Sequence, residues 1–429
     1  MLTAEENALL CRVEGDAPMG RLMRQHWVPA LLSEEVGEPD GKPVRVRVLG
    51  ENLVAFRDTQ GRVGVLDELC PHRRASLVYG RNEECGLRCL YHGWKMDVAG
   101  NVTEMSSEPP GSALKEKVKH KAYPARESGG FVWIWMGAAE AMPDFEPPPF
   151  APSADTTISI LKVKVPCNWA QITEGQIDSA HSSSLHSSDM VPARIDTASA
   201  TETNWLRPST DRSPRMQAER TSYGFRYVAI RRPIKNAATH DYIRMTVYVA
   251  PFISLIPPNS SYNIASVIVP IDDENSAFYF VAWGGVTCPD TATWRKFHSA
   301  QIGVDLDAEY NPLRNLANDF RQDRQAMKTG NFTGIEGIPN QDMAMWTSMG
   351  RIVDRSKETL GASDLAIVEF RRLMVEAARL VEAGGRAIGA TEPRIPQVEI
   401  ASYQGIVPKT TNWRELGSGT VSAEAKKAS

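Results

Sequence analysis

The chain is short of cysteine, of long apolar runs and of surplus charge, and each shortage removes a class of protein. Six cysteines in 429 residues do not make a disulfide framework; in a chain of this size they read as reduced thiols or metal ligands. Apolar stretches such as Ile253–Leu255 and Phe278–Trp283 fall far below the ~20 residues of a membrane helix. Lys and Arg number 48 against 52 Asp and Glu, a net charge of −4, so no basic surplus points to nucleic acid. Residues Met1 to Leu10 carry Glu5 and Glu6 and no basic segment, which argues against a secretory signal and for a cytoplasmic location. No G-x-G-x-x-G follows a strand and no plant-type ferredoxin cysteine run occurs, so neither a dinucleotide fold nor a ferredoxin-type cluster is read in the chain.

What is present is a globular composition, 42% hydrophobic and 23% charged, in a length that suits two domains. Residues 1–27 read as an N-terminal helix and connector. From Lys42 strand patterns begin. Val44, Val46 and Val48 alternate with Arg45, Arg47 and Leu49, and Leu53–Phe56 meets a turn at Thr59-Gln60-Gly61 before Val63–Leu66 runs back. Short strands continue to Phe131–Trp135, making residues 28–140 an all-β domain. Pro143, Pro147, Pro148 and Pro149 lack the amide donor and fix φ, so residues 141–155 read as a linker. Residues 156–422 mix strands (Tyr223–Ile230, Tyr242–Phe252, Ile264–Val269, Ala277–Trp283) with helical patterns at Asn168–Leu185, Asp305–Met327, Gln341–Gly350 and Ser363–Glu382. The whole is an α+β fold, its second domain an antiparallel sheet flanked by helices, with residues 423–429 expected to be a disordered tail.

Two motifs carry chemistry. The first is Cys70-Pro71-His72-Arg73 followed by Cys89-Leu90-Tyr91-His92-Gly93-Trp94. Two thiolates and two imidazoles suit either zinc or a two-iron cluster. Zinc fingers pair like ligands locally, whereas here each short loop offers one Cys and one His within β-structure. That arrangement lets the cysteines hold one iron and the histidines the other, and imidazole in place of thiolate raises the cluster potential to roughly −150 to +300 mV.

The second motif is Asn168-Trp169-Ala170-Gln171, Glu174-Gly175, Asp178, His181 and His186. On a helix Asn168, Gln171, Glu174 (or Gly175), Asp178 and His181 share one face, a poor core face and a good site face. The Ser182-Ser183-Ser184 run is expected to break the helix so that His186 turns back toward His181. Two His and one carboxylate form a facial triad that leaves positions open on Fe(II). By composition the carboxylate is Asp319, Asp323, Glu336 or Asp342. Asp178, three residues before His181, is placed to orient that imidazole or to form an ordinary ion pair.

Both motifs together resemble the Rieske non-haem iron oxygenases. The cluster stretch resembles the fingerprint of ring-hydroxylating members, which often reads CPHRGASL where this chain has Arg74 for the Gly. Gln341-Asp342, Ser348-Met349-Gly350, Asp354-Arg355 and Leu360-Gly361-Ala362-Ser363-Asp364 resemble the C-terminal signature of the phthalate dioxygenase branch. The resemblance implies a [2Fe–2S] cluster on Cys70, His72, Cys89 and His92, and a mononuclear Fe(II) on His181, His186 and Asp342. It implies that Asp178 carries electrons to the mononuclear site from a Rieske histidine of a neighbouring copy, in a head-to-tail homotrimer or stacked trimers. It further implies a separate NAD(P)H-dependent flavin/[2Fe–2S] reductase, O₂ as co-substrate, and cis-dihydroxylation of phthalate to the 4,5-dihydrodiol. O-demethylation of another aromatic acid such as vanillate is the alternative outcome. A dianion in an apolar pocket needs arginine forks. Arg244, on a strand face with Tyr242, Thr246 and Tyr248, and Arg207, in a Trp205–Pro208 loop, are the candidates, with Ser179 as a hydroxyl donor. Arg226, Arg231 and Arg232 are weaker, reading as an exposed strand end.

Overall fold

The computed structural model describes residues 2–417 except 202, 203, 260 and 393. The expected tail at 423–429 lies outside the described residues. The chain divides into two compact units, Val13–Phe145, and Glu146 onward together with Met1–Arg12.

In the first unit, alternating Val44, Val46 and Val48 produce the strand Val44–Val48, paired antiparallel with Glu51–Arg57. The two-residue turn between them places Leu49 at φ +47° and Gly50 at φ +82°, the left-handed pair that a tight hairpin requires. Val63–Asp67 and Ala122–Tyr123 complete this four-stranded sheet. Arg81–Glu83, Gly86–Arg88, Lys95–Met96 and Val102–Glu104 form a second sheet, and Trp27–Leu32, Phe131–Trp135 and Ala125–Ser128 a third. Val54, Phe56, Leu66, Leu77, Leu87, Met96 and Val102 pack into one cluster that also takes in Cys70, Cys89 and Trp94. The two thiols therefore sit in the core, with a rigid apolar floor beneath the loops that carry them.

The second unit is built on an antiparallel sheet running Thr157–Val165, Ser276–Gly284, Asn263–Pro270, Ile253–Ile256, His240–Val249, Gly224–Arg231 and Arg215–Thr221, with Tyr403–Pro408 paired off His240–Val249. Its longest helix, Leu365–Glu382, buries Ala366, Phe370, Leu373, Met374, Ala377, Ala378 and Val381, the single stripe of an amphipathic helix. No helix among the described residues is long and apolar enough to cross a membrane.

Residues 1–27 divide between the two units. Ala4–Cys11 belongs to the second unit, where Asn7 Nδ2 donates to the Val353 carbonyl and Arg12 pairs with Asp273, while Pro18–Met23 belongs to the first. Asp305–Met327 is not a long helix but turns, a kinked 3₁₀ segment Leu316–Arg321 and the short helix Arg324–Lys328. Asp307 Oδ1 accepts from the Glu309 and Asn311 amides, Asn315 Oδ1 from Ala317, and Asp323 Oδ1 from Gln325 and Ala326. Short polar side chains have captured the backbone donors that a continuous helix would use. Asn168–Leu185 gives only the helix Trp169–Gln176, capped by Asn168. It ends before Asp178, whose Oδ1 accepts from the Ala180 amide at 2.7 Å, so the break comes earlier than the serine run.

Candidate metal centres and the adjoining cavity

The two loops of the first motif are built alike. The amide of Arg74 donates to the Cys70 carbonyl at 3.0 Å and that of Gly93 to the Cys89 carbonyl at 3.0 Å; the Cys70 and Cys89 amides donate to Ala75 and Trp94 carbonyls at 2.9 and 2.8 Å. Each turn closes on a left-handed residue, Arg74 at φ +58° and Gly93 at +71°. This is the reason a glycine suits the first position as well. Cys70 and Cys89 are buried, and the His72 and His92 rings meet edge-on with centroids 4.5 Å apart. Trp94 stacks flat on His72 at 4.5 Å and donates its Nε1 to Ser107 Oγ. Buried thiols together beneath paired imidazoles fit two irons ligated in like pairs. The four residues do not gather their donors as a one-ion site would. Among the described residues only His181, His186 and Asp342 bring three donor atoms within 4.8 Å of one another.

That second group is drawn from two segments. His181 begins the 3₁₀ turn His181–Ser183, His186 follows it, and Asp342 lies in the helix Ile338–Ser348. The His181 and His186 Nε2 atoms are 3.1 Å apart, and Asp342 Oδ1 is 3.1 Å from His186 Nε2 and 3.6 Å from His181 Nε2. Ligands at about 2.1 Å from one ion at right angles lie about 3 Å from each other, so the three donors fit one face of an octahedral Fe(II). His186 Nδ1 lies 2.7 Å from Gln341 Oε1. Asp178 Oδ2 is 3.7 Å from His181 Nδ1. The other carboxylates considered lie elsewhere: Asp323 caps a helix, Glu336 pairs with Arg314, and Asp319 sits in a kink at φ +48°.

The polar face before Asp178 is an anchor and not a site face. Asn168 Nδ2 donates to the Cys11 and Asp273 carbonyls at 2.9 and 2.7 Å. Gln171 donates to the Trp346 and Gly350 carbonyls and accepts from the Val353 amide. Glu174 takes Arg355 at 2.8 Å and Arg371 at 2.7 Å, all three buried. Burial alone would raise the Glu174 carboxyl, but the two guanidiniums outweigh it and hold it below the ordinary range. Gly175 is obligatory, since a Cβ there would meet Trp346 Nε1 at 2.1 Å. These contacts tie the helix that precedes His181 to the one that carries Asp342.

A cavity opens beside the triad, lined by Asp178, Ser179, His181 and Asp342 at its polar end and by Trp205 and Phe280 among its apolar walls. Arg244 reaches it directly; Arg207 lies behind Ser182 and Met190, donating to Ser182 Oγ at 2.9 Å and Ser183 Oγ at 3.0 Å. Arg231 corrects the sequence reading. It is not an exposed strand end but 1% exposed, donating to Ser179 Oγ at 3.2 Å and to the Ser179 carbonyl at 2.7 Å. Strand alternation points it inward, two residues after Ala229, which is opposite Arg244 in the sheet. Arg207, Arg231 and Arg244 are 4%, 1% and 8% exposed, and none has a carboxylate partner among the described residues. Burial, followed by the charges of its two neighbours, pushes the Arg207 guanidinium down to about 9; burial and Arg244 push Arg231 to about 10. Arg226, by contrast, is paired with Glu219.

A Rieske-type cluster site on a β unit and a two-His, one-carboxylate site on an antiparallel sheet define an iron oxygenase of two metal centres. Residues 26–123 match the family model Rieske [2Fe-2S] domain and residues 134–429 the model LigXa C-terminal domain like. The chain is 65% identical to the phthalate 4,5-dioxygenase oxygenase subunit of Pseudomonas putida over 97% of its own length and 94% of that protein. It is 36% identical to the 3-chlorobenzoate-3,4-dioxygenase oxygenase subunit of Comamonas testosteroni, over 96% and 97%. In fold it resembles the terminal oxygenase of carbazole 1,9a-dioxygenase from Novosphingobium sp. KA1, with a TM-score of 0.56 at 21% identity, covering 88% and 98% of the two chains. The chain belongs to the Rieske oxygenases, as the oxygenase component of an aromatic-ring-hydroxylating dioxygenase. Such components carry a Rieske cluster and a mononuclear iron, use O₂, and work with ferredoxin or reductase partners.

Proposed function

We propose that the chain dihydroxylates phthalate at the 4,5 positions, and the observation that carries this is the set of three buried arginines beside the triad. Cations withdrawn from water without counter-charge are costly, and an aromatic dianion supplies the missing charge. Neutral arenes and monoacids would leave it uncompensated. Arg244 takes one carboxylate at the cavity wall. Arg207 draws the other toward Ser182, and Ser179, its oxygen already accepting from Arg231, keeps its proton to donate. Trp205 and Phe280 wall the ring and exclude water.

In this reading Cys70, His72, Cys89 and His92 hold the cluster, and His181, His186 and Asp342 hold the Fe(II). The bound centres supply single electrons and O₂ activation. Asp178, half-buried between His181 and the surface, serves as the bridge from a Rieske histidine of a neighbouring copy. The reading therefore includes a homotrimer or stacked trimers, a separate NAD(P)H-dependent reductase, and a cytoplasmic setting.

Product identification from a panel of aromatic acids with a matching reductase tests the assignment. A cis-dihydrodiol from phthalate is expected. Formaldehyde from methoxylated acids with no diol, or turnover of neutral arenes only, would contradict it.

A further inference from the structure

Gln341 immediately precedes Asp342 and is 1% exposed. Its Nε2 donates to Asp189 Oδ2 at 2.8 Å and to the Ile335 carbonyl at 2.9 Å, while its Oε1 lies 2.7 Å from His186 Nδ1. An amide and an imidazole are each ambiguous alone, since the amide flips and the ring has two tautomers. Here the surroundings remove the ambiguity. A carboxylate and a carbonyl accept, so both amide protons of Gln341 are committed and its oxygen must face the ring. An oxygen facing Nδ1 requires the proton on Nδ1, which leaves Nε2 as a lone pair pointing at Asp342 and His181.

His181 has no such support. Its Nδ1 is 3.7 Å from Asp178 Oδ2, beyond hydrogen-bond reach, and Asp178 Oδ1 is engaged by the Ala180 and His181 amides. We propose that Gln341 is a positioning residue that locks His186 in the Nδ1-protonated tautomer. The site then has a rigid half, His186 and Asp342 both seated by the helix Ile338–Ser348, and an adjustable half, His181 with Asp178. The inference rests on the reading of His186 as a metal ligand. A lone pair already aimed needs no proton loss and no ring rotation on metal binding, so affinity depends on Gln341 although it touches no metal.

The test uses the full chain with its cluster intact. The mononuclear iron is removed with a chelator and Fe²⁺ is titrated back without oxygen, far-ultraviolet circular dichroism beside cluster absorbance reporting on the fold. Gln341→Leu should weaken Fe²⁺ binding by roughly 10–100-fold at unchanged absorbance. Asp189→Ala, which releases one of the two acceptors, should weaken it by about twofold or more, a smaller loss on the same scale. Gln341→Glu should bind poorly, since its second oxygen faces Asp189, and adding Asp189→Asn should restore affinity by returning a donor. Wild-type affinity in Gln341→Leu overturns the proposal; if that variant loses its folded circular dichroism, wild-type affinity in Asp189→Ala does so instead. A wild-type chain that takes up no Fe²⁺ overturns the metal-site reading, and this inference with it.

Discussion

The residues of the candidate cluster site come from one short stretch of chain, Cys70 to His92, on two loops whose hydrogen bonds and left-handed closing residues match. The residues of the candidate mononuclear site come from distant stretches, Asp342 following Gln341, which is 155 positions from His186, and are brought together by a buried polar scaffold. The first site is framed by backbone turns over an apolar floor. The second depends on side chains, Asn168, Gln171 and Glu174, holding one segment against another. A locally framed site should tolerate distant substitutions, whereas the assembled one should feel a change far from its metal.

The strongest way to break that contrast is Glu174→Gln. It leaves Arg355 buried against a neutral partner and Arg371 paired with Glu358 alone, which should cost about 3–5 kcal/mol, read by chemical denaturation. Iron at the triad should weaken while cluster absorbance in the folded protein persists. Glu174 titrates below its unfolded value, so its contribution is complete above the ordinary carboxylate range and is lost as pH falls through the depressed one. The gap between wild type and variant should therefore shrink in acid. An undiminished gap there, or equal loss of both centres, would deny the contrast.

Arg244→Ala comes next. Loss of a charged hydrogen bond of about 1.5–3 kcal/mol should raise KM for phthalate about 10- to 150-fold and leave a neutral ring within about twofold. Equal losses on both substrates would mean structural damage. The smallest effect compares the matched loops. Gly93→Ala should cost about 1–2 kcal/mol for a left-handed side chain, whereas Arg74→Gly should gain at most about 1 kcal/mol once glycine's freedom in the unfolded chain is counted. Thermal melts of both variants check it, and a stable Gly93→Ala would contradict the backbone framing.

The same contrast explains what could be read from residues alone. The Rieske motif is legible because its four candidate ligands are close in sequence, and residues 26–123 match a Rieske domain. The His181, His186 pair was legible, but Asp342 was one of four carboxylates until a family resemblance singled it out. Asn168, Gln171 and Glu174 looked like a site face because a polar stripe on a helix does not reveal whether its partners are a ligand or carbonyls and guanidiniums more than 100 positions away. Arg231 looked exposed because a basic pair before a proline usually is; only the sheet register shows it facing inward. Asp305–Met327 looked helical because apolar spacing is visible in sequence, and the capture of amides by Asp307, Asn315 and Asp323 is not. Gln341 stood inside a motif with no role assigned, since its part depends on both Asp189 and His186.

The most direct measurement is iron per chain beside visible absorbance, in the loaded wild type and in a His181→Ala, His186→Ala double variant. Separate centres predict about three irons in the wild type and about two in the variant, with the cluster spectrum unchanged and oxygenation abolished. A variant that keeps the third iron, goes colourless, or still oxidises substrate would contradict the account.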